Sequence, residues 1–209
     1  MPGPAAGKFA KVTFAGHLVD GVQEWSTSCW FSLPGTTGPG DAAAFLAGVL
    51  TAYGTALKSE VLRLLASTDS LDTITVDSYG PDSATLYDQA VSTQTSATTG
   101  VTQLPPQIAI VATLVTAGFG KAFRGRMYWP GTGNPTSDHR VDSANTVGLA
   151  NALALFFTDV NAFGAVACLI SNSRAAFSPL VAVQVDDVYD TQRRRRDKVL
   201  ATKVQRTAI

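Results

Sequence analysis

The spacing of apolar residues divides the chain into short extended runs and two long helical runs. β-forming residues are dense in residues 11–20 and 25–33, and the Asp-Gly dipeptide at 20–21 is a turn signal, so these runs predict a β-hairpin. From residue 41 to residue 65, apolar residues recur at spacings of three and four. This periodicity predicts a helix of about 25 residues.

The second half of the chain has a similar order of elements. Residues 107–116 are densely apolar and predict a central strand, with residues 124–129 as its hairpin partner. A second helix is predicted to begin at Asp142 or Ser143, because apolar residues at helical spacing follow as far as Val160.

The remaining segments predict short strands and one long connection. Residues 71–76 alternate as a short strand, and residues 165–171 and 180–185 have the composition of the last strands. Residues 78–103 are polar, which predicts a long excursion on the surface.

Together these elements predict an α+β fold, in which a largely antiparallel sheet carries two long helices on one face, arranged as split βαβ-like halves. A doubly wound parallel sheet is the main alternative. Composition divides the chain further into an extended Pro/Gly/Ala-rich N-terminal arm (residues 1–10), a single α+β domain (11–189) and a basic C-terminal tail (190–209).

Charge is distributed unevenly along a chain that is neutral overall, with 16 basic and 16 acidic residues. Residues 1–120 hold four basic and nine acidic residues (net −5), whereas residues 121–209 hold twelve and seven (net +5). Four of the basic residues are consecutive: Arg193, Arg194, Arg195 and Arg196. Adjacent cations repel one another, so this run is either a solvated tail or a contact site for an acidic surface.

Three acidic residues, Asp186, Asp187 and Asp190, lie just before the arginine run. Arginine and carboxylate groups form fork-like ion pairs, so these acids are the expected partners of the arginines within one chain or between chains. We therefore predict an assembly contact that includes Asp187 and Asp190, and we expect the arm and the tail to contact other chains.

A second basic group lies at the hairpin of residues 124–129. Arg124 and Arg126 are two positions apart, so on a strand they share one face, and Trp129 follows closely. Arginine and tryptophan are enriched at protein interfaces, and the same combination can bind nucleic acid through phosphate contacts and stacking. An interface role, a solvated strand face and nucleic-acid binding all stay open for this group.

Catalytic and metal-binding motifs are missing from the sequence. His17 and His139 are the only histidines, and neither they nor Cys29 and Cys168 form a recognised metal-ligand spacing, so no cofactor is expected. His139 lies among hydroxyl, acidic and guanidinium groups in residues 136–140, but neighbours on a loop are not thereby oriented as nucleophile and base. We also expect no membrane partner, since the longest nearly apolar stretch is shorter than the roughly 20 residues a span needs.

Three segments together resemble a family of small virion structural proteins of tailed bacteriophages. The segments are LPPQIAIVATL (104–114), RGRMYWPG (124–131) and DTQRRR (190–195). The resemblance covers roughly residues 100–200 and implies a component of the virus particle, made in the host cytoplasm. It implies no catalytic residue and does not distinguish capsid, decoration, connector or tail.

The sequence as a whole therefore favours a non-enzymatic structural protein of a virion, most simply a capsid or tail/connector protein that assembles in many copies. Its partners would be copies of itself and other virion proteins, with packaged nucleic acid as a further candidate for the basic tail. Two alternatives stay open: a nucleic-acid-binding module that uses both arginine groups, and a hydrolase centred on His139.

Overall fold

The structure is a computed structural model, and it describes ten segments of the chain. These segments are residues 8–17, 24–33, 41–65, 70–80, 83–94, 108–116, 124–131, 143–171, 176–190 and 205–209.

The described segments form nine strands and two helical regions. The strands are β1 (Lys8–His17), β2 (Glu24–Leu33), β3 (Thr73–Tyr79), β4 (Leu86–Thr93), β5 (Ile108–Thr116), β6 (Arg124–Gly131), β7 (Val166–Ser171), β8 (Ala176–Asp190) and β9 (Gln205–Ala208). The helices are α1 (Asp41–Ala52), a π-helical turn (Tyr53–Leu57), α2 (Lys58–Leu64) and α3 (Ser143–Ala162).

The strands lie in the order β4-β3-β1-β2-β7-β8-β5-β6, and β9 pairs with β8 beside this path. Every pairing among the described strands is antiparallel. Each half of the chain contributes a hairpin, a helical region and two further strands, and the halves join where β2 pairs with β7. The predicted α+β class is thus confirmed, and the parallel alternative is wrong for the described strands.

The long strand β8 belongs to two parts of the sheet. Residues 176–179 pair with β7, whereas residues 180–190 pair with β5. The change of partner folds the β5-β6 hairpin over the first half of the sheet. On the same hairpin, a Cβ atom on Gly125 of β6 would lie 2.5 Å from Leu169 Cδ2 of β7, so the glycine leaves room for the Leu169 side chain.

Alternation along β1 places one face of the sheet in the core. Val12 and Phe14 are fully buried, and they pair across the sheet with the equally buried Val76 and Ile74 of β3. The Phe14 ring contacts Tyr53 of the π turn, Phe156 of α3 and Trp129 of β6. Both helical regions therefore pack on the same face of the sheet, as predicted: the first contacts β1, β3 and β4, and α3 contacts β1, β2, β7 and β8.

The first helical region runs from Asp41 to Leu64 and confirms the predicted helix, with one internal change. Residues 53–57 adopt a π turn, and the Thr55 hydroxyl in it donates to Asp159 of α3 over 3.1 Å. The region ends at Leu65, whose backbone is extended. A π turn of this kind shifts the face that the following residues present, which periodicity alone does not predict.

Several segments differ from those expected, including β8, which is longer at both ends than the expected strand at 180–185. The polar excursion of residues 78–103 contains the strand β4, so that expectation is wrong for residues 86–93. β1 begins at Lys8, and Phe9 and Ala10 are buried, so the last residues assigned to the arm belong to the sheet. At the other end β9 pairs with β8, and Ile209 packs against the core. Deleting the tail would therefore remove part of the domain.

Candidate assembly surfaces and a polar cleft

The β5-β6 hairpin presents its predicted basic face to solvent. Arg126 is exposed, whereas Met127 on the opposite face is fully buried, which confirms the predicted alternation. Arg124 occupies the same-face position two residues earlier in β6, and its side chain lies outside the described part of the structure. Tyr128 lies two positions after Arg126 on the same face and is 48% exposed.

Trp129 is a core residue, so its assignment to an interface is wrong. Its side chain is 1% exposed and contacts Phe14 and Trp25, with ring centroids 5.4 Å and 6.1 Å away. The reason is parity: Trp129 is an even number of residues from the buried Met127, so both side chains point inward. Its indole Nε1 is buried without a hydrogen-bond partner within the described residues.

The acidic part of the predicted tail contact lies at the end of β8. Asp187 pairs with Val111 of β5 and Asp190 with Ile108, so both backbones are in the sheet. Their side chains lie outside the described part of the structure, as do all four residues Arg193 to Arg196. The proposed pairing between these acids and the arginines stays a prediction.

An exposed apolar edge lies at β4, which sequence analysis did not identify. Among the described strands β4 pairs only with β3, and Leu86, Tyr87 and Val91 on it are each at least half exposed. Its one charged residue, Asp88, accepts a hydrogen bond from the Ala42 backbone N–H at the start of α1 (3.2 Å). The β-forming residues were visible in the sequence, but the Ser/Thr-rich surroundings outweighed them.

A polar cleft lies where the β1-β2 hairpin meets the segment before β3. It has a volume of about 460 Å³ and is lined by Ala15, Gly16, His17, Glu24, Trp25, Ser26, Asp72 and Thr73. His17 Nδ1 is hydrogen-bonded to the Asp72 carboxylate. The Trp25 Nε1–H donates to the Ser70 carbonyl oxygen over 3.0 Å and closes one side.

The His17–Asp72 pair has two of the three parts of a nucleophilic catalytic set. A carboxylate that holds an imidazole Nδ1 orients the ring as a base. Among the described hydrogen bonds, none joins the other ring nitrogen to a serine, threonine or cysteine. The separation of 55 positions between His17 and Asp72 explains why sequence analysis missed the pair. His139, the residue expected to centre a hydrolase site, lies outside the described residues.

The described ranges contain no group of three or more histidine, cysteine, aspartate or glutamate side chains able to hold a metal ion. None of the helices described is both long enough and apolar enough to cross a membrane.

Cys29 and Cys168 are free and buried. Burial raises the pKa of the Cys168 thiol from its ordinary 9.0 to about 12, although a hydrogen bond with the Ser32 backbone opposes this change. Burial, and secondly the neighbouring Cys168, raise the pKa of Cys29 further. Both thiols therefore stay protonated in the folded protein under conditions where they ionise in the unfolded chain.

This difference predicts that the protein loses stability at alkaline pH. Above the ordinary thiol pKa of 9.0 the unfolded chain binds fewer protons than the folded protein, so the free energy of unfolding falls as pH rises. Above this pKa each thiol lowers the free energy of unfolding by about 1.4 kcal/mol per pH unit. Between about pH 8 and about pH 10 only about one unit lies above it, so the two thiols together should cost roughly 3 kcal/mol. Urea unfolding at the two pH values measures it. The Cys29→Ala/Cys168→Ala variant should lose most of this pH dependence, and an equal dependence in both proteins would contradict the assignment.

The protein is therefore of the α+β class, and its described strands are all antiparallel. It has an exposed apolar sheet edge and a small polar cleft. Comparison with known proteins finds no matching family model, no significantly similar curated protein and no significantly similar solved structure.

Proposed function

We propose that this protein is a non-enzymatic structural component of a virus particle, a bacteriophage capsid or tail/connector protein that assembles in many copies. The observation that carries the proposal is the β4 edge. Proteins that stay monomeric usually protect an edge strand with lysine, proline or a covering segment. Residues 86–93 contain neither lysine nor proline, and Leu86, Tyr87 and Val91 are at least half exposed.

The partner of this edge would be a strand from another copy. Strand addition satisfies backbone hydrogen-bonding groups and buries alternate side chains at the same time. The only charged side chain of β4, Asp88, is directed to the start of α1. An added strand would thus meet apolar and uncharged polar side chains, and desolvation of an ion would not oppose the contact.

The virion assignment rests on the resemblance of three sequence segments to phage structural proteins. The first two segments overlap the paired strands β5 and β6, and the third begins at Asp190, which pairs with Ile108 of β5. The described residues of the three segments therefore lie in one part of the sheet. The proposed partners are copies of this chain and other virion proteins, in particles formed in the host cytoplasm.

The test is the mass of the purified protein in solution, with electron microscopy of what it forms. Val91→Lys adds a charge to the outer edge at a position that is 54% exposed, so it should leave the melting temperature within about 2 °C. We expect the parent protein to form large assemblies and this variant to form much smaller species. Ser26→Lys, at an exposed position of the internal strand β2, is the matched control and should assemble normally.

A monomeric parent protein would overturn the proposal, as would assembly that Val91→Lys leaves unchanged. Salt-dependent binding of labelled DNA, lost when Arg193 to Arg196 are replaced by alanine, would favour the nucleic-acid-binding alternative instead. Substitution is the right probe of these arginines, because deletion of the tail would also remove β9.

A further inference from the structure

Two polar side-chain atoms in the core have no hydrogen-bond partner within the described residues. They are the Thr27 hydroxyl oxygen on β2 and the indole Nε1 of Trp129 on β6. Thr27 is 5% exposed and Trp129 is 1% exposed, so both side chains are almost entirely removed from solvent. A buried donor or acceptor without a partner lowers the folding equilibrium constant roughly tenfold or more. In folded proteins such groups are usually satisfied, and internal water molecules are common partners.

The register of the sheet places these two groups next to each other. Thr27 pairs with Phe14 of β1, and Trp25 lies two positions before Thr27 on the same face of β2. Both of these neighbours contact the Trp129 ring, with ring centroids 5.4 Å and 6.1 Å away. The indole therefore lies over the corner of the sheet that Thr27 shares with Phe14 and Trp25.

The chemistry of the two groups suits a water molecule. An indole N–H can only donate a hydrogen bond, whereas a hydroxyl can both donate and accept. A water oxygen can therefore accept from Trp129 Nε1 while the same water donates to the Thr27 oxygen. Internal waters typically make about three hydrogen bonds. Among the described strands β6 pairs only with β5, so alternate residues of β6 direct backbone groups away from that ladder and can supply the third bond.

The polar cleft brings solvent close to this point. Trp25 and Ser26 line the cleft, and Ser26 directly precedes Thr27 in β2. The cleft volume of about 460 Å³ is many times the roughly 30 Å³ that one water molecule occupies in the liquid. Because Trp25 lines the cleft and also contacts Trp129, a water molecule that enters the cleft is one side chain away from the indole.

A neighbouring aromatic ring would be a poorer partner than water. N–H groups donate weakly to ring faces, and the rings of Phe14 and Trp25 are both close to Trp129. Such a contact would partly satisfy the indole N–H. It would leave the Thr27 oxygen without a donor, whereas a water molecule offers an acceptor to one group and a donor to the other.

We infer that one internal water molecule binds between Thr27 Oγ1 and Trp129 Nε1 and joins β2 to β6. The inference goes beyond the proposed function and does not depend on it. The site would take water and not an ion, because the residues around Thr27 on this face, Phe14, Trp25 and Cys29, carry no charge. The water would connect the first part of the sheet with the β5-β6 hairpin, where Trp25 and Trp129 meet.

Nuclear magnetic resonance of the isotope-labelled protein tests for the water directly. The Trp129 indole proton, assigned by its loss in Trp129→Phe, should show a cross-relaxation peak with water. The sign of this peak should be that of a water molecule that stays bound for longer than the protein takes to tumble. In Thr27→Val the indole resonance should remain and the water peak should disappear. The absence of a water peak at Trp129 in the parent protein, or a peak that Thr27→Val leaves unchanged, would overturn the bridge.

Urea unfolding of Thr27→Val gives an independent answer through the sign of the change. Valine keeps the shape of threonine and removes the hydroxyl. If the hydroxyl holds the water, its removal leaves polar groups without a partner, and the unfolding equilibrium constant should rise roughly tenfold. If the hydroxyl were unpaired in a dry core, valine would lower that constant, which would contradict the inference. Thr13→Val, on the partly exposed opposite face of β1, is the matched control and should change the constant no more than about twofold.

A double-mutant cycle separates the bridge from packing. Trp129→Phe removes the indole N–H but also reduces the volume of the side chain, so its own effect on stability does not identify the water. When Thr27→Val is added, the combined change in the unfolding equilibrium constant should be smaller than the product of the two single changes by at least about twofold. The reason is that a water molecule without either partner leaves the core. Single changes that multiply without coupling would show that the two groups act separately and would refute the bridge.

Discussion

Replacing Gly16 with alanine should destabilise the protein by about 3 kcal/mol or more, because the added methyl group has no space. A Cβ atom on Gly16 would overlap the Ser70 carbonyl oxygen and would lie 2.7 Å from the carbonyl carbon. This carbonyl cannot move freely, since it accepts from Trp25 Nε1 (3.0 Å), while the Ser70 N–H donates to the His17 carbonyl (2.9 Å). The substitution should also open the polar cleft that these residues line.

Chemical denaturation of the purified variants measures this effect. Gly54→Ala is the matched control, because Gly54 is an exposed residue of the π turn and no atom lies within 4 Å of its Cβ position. Alanine there should be neutral or stabilising by up to about 1 kcal/mol, since glycine is unfavourable within a helix. Equal stabilities of the Gly16→Ala and Gly54→Ala variants would show that the hairpin does not approach Ser70 as described.

Replacing Trp129 with alanine should reduce stability by about 3–5 kcal/mol, which for a chain of this size lowers the melting temperature by roughly 6–20 °C. The indole is 1% exposed and bridges Phe14 of β1 and Trp25 of β2. Its removal leaves a cavity where the two parts of the sheet meet. The loss should therefore appear as unfolding of the isolated protein and not as a selective loss of assembly.

The neighbouring Tyr128 supplies the control for this prediction. Its side chain is 48% exposed on the opposite face of β6, so Tyr128→Ala should change the free energy of unfolding by no more than about 0.5 kcal/mol. Thermal unfolding followed by circular dichroism compares the two variants. If Trp129→Ala melted like the parent but failed to assemble, the original interface assignment would be restored.

The sequence predicted the type of most elements because that information is local. Periodicity over residues 41–65 and 143–160 marks both helical regions, and apolar density marks β5 as an internal strand. The arrangement of these elements in an antiparallel sheet followed from their order and from short hairpin connections. β4 was missed because its Ser/Thr-rich surroundings outweighed its β-forming residues, and none of its positions is fully buried.

The candidate site was less predictable, since its residues meet through the register of distant strands. His17 reaches Asp72 because β1 pairs with β3, and Asp88 reaches Ala42 because β4 lies beside α1. No local pattern carries either contact.

What the sequence determined by itself is thus the alternation of buried and exposed positions, such as Met127 inward and Arg126 outward, because strand geometry sets that parity. Which buried position becomes core was decided only by the tertiary structure. Parity alone places Trp129 on one face of β6, and that face could belong either to the core or to an interface. It belongs to the core because β8 changes partner and places β6 over β2. Likewise, Thr55 of the π turn meets Asp159 of α3 only because the two helical regions lie side by side in the folded chain. Contacts between residues far apart in sequence depend on chain topology, and single-residue propensities do not contain it.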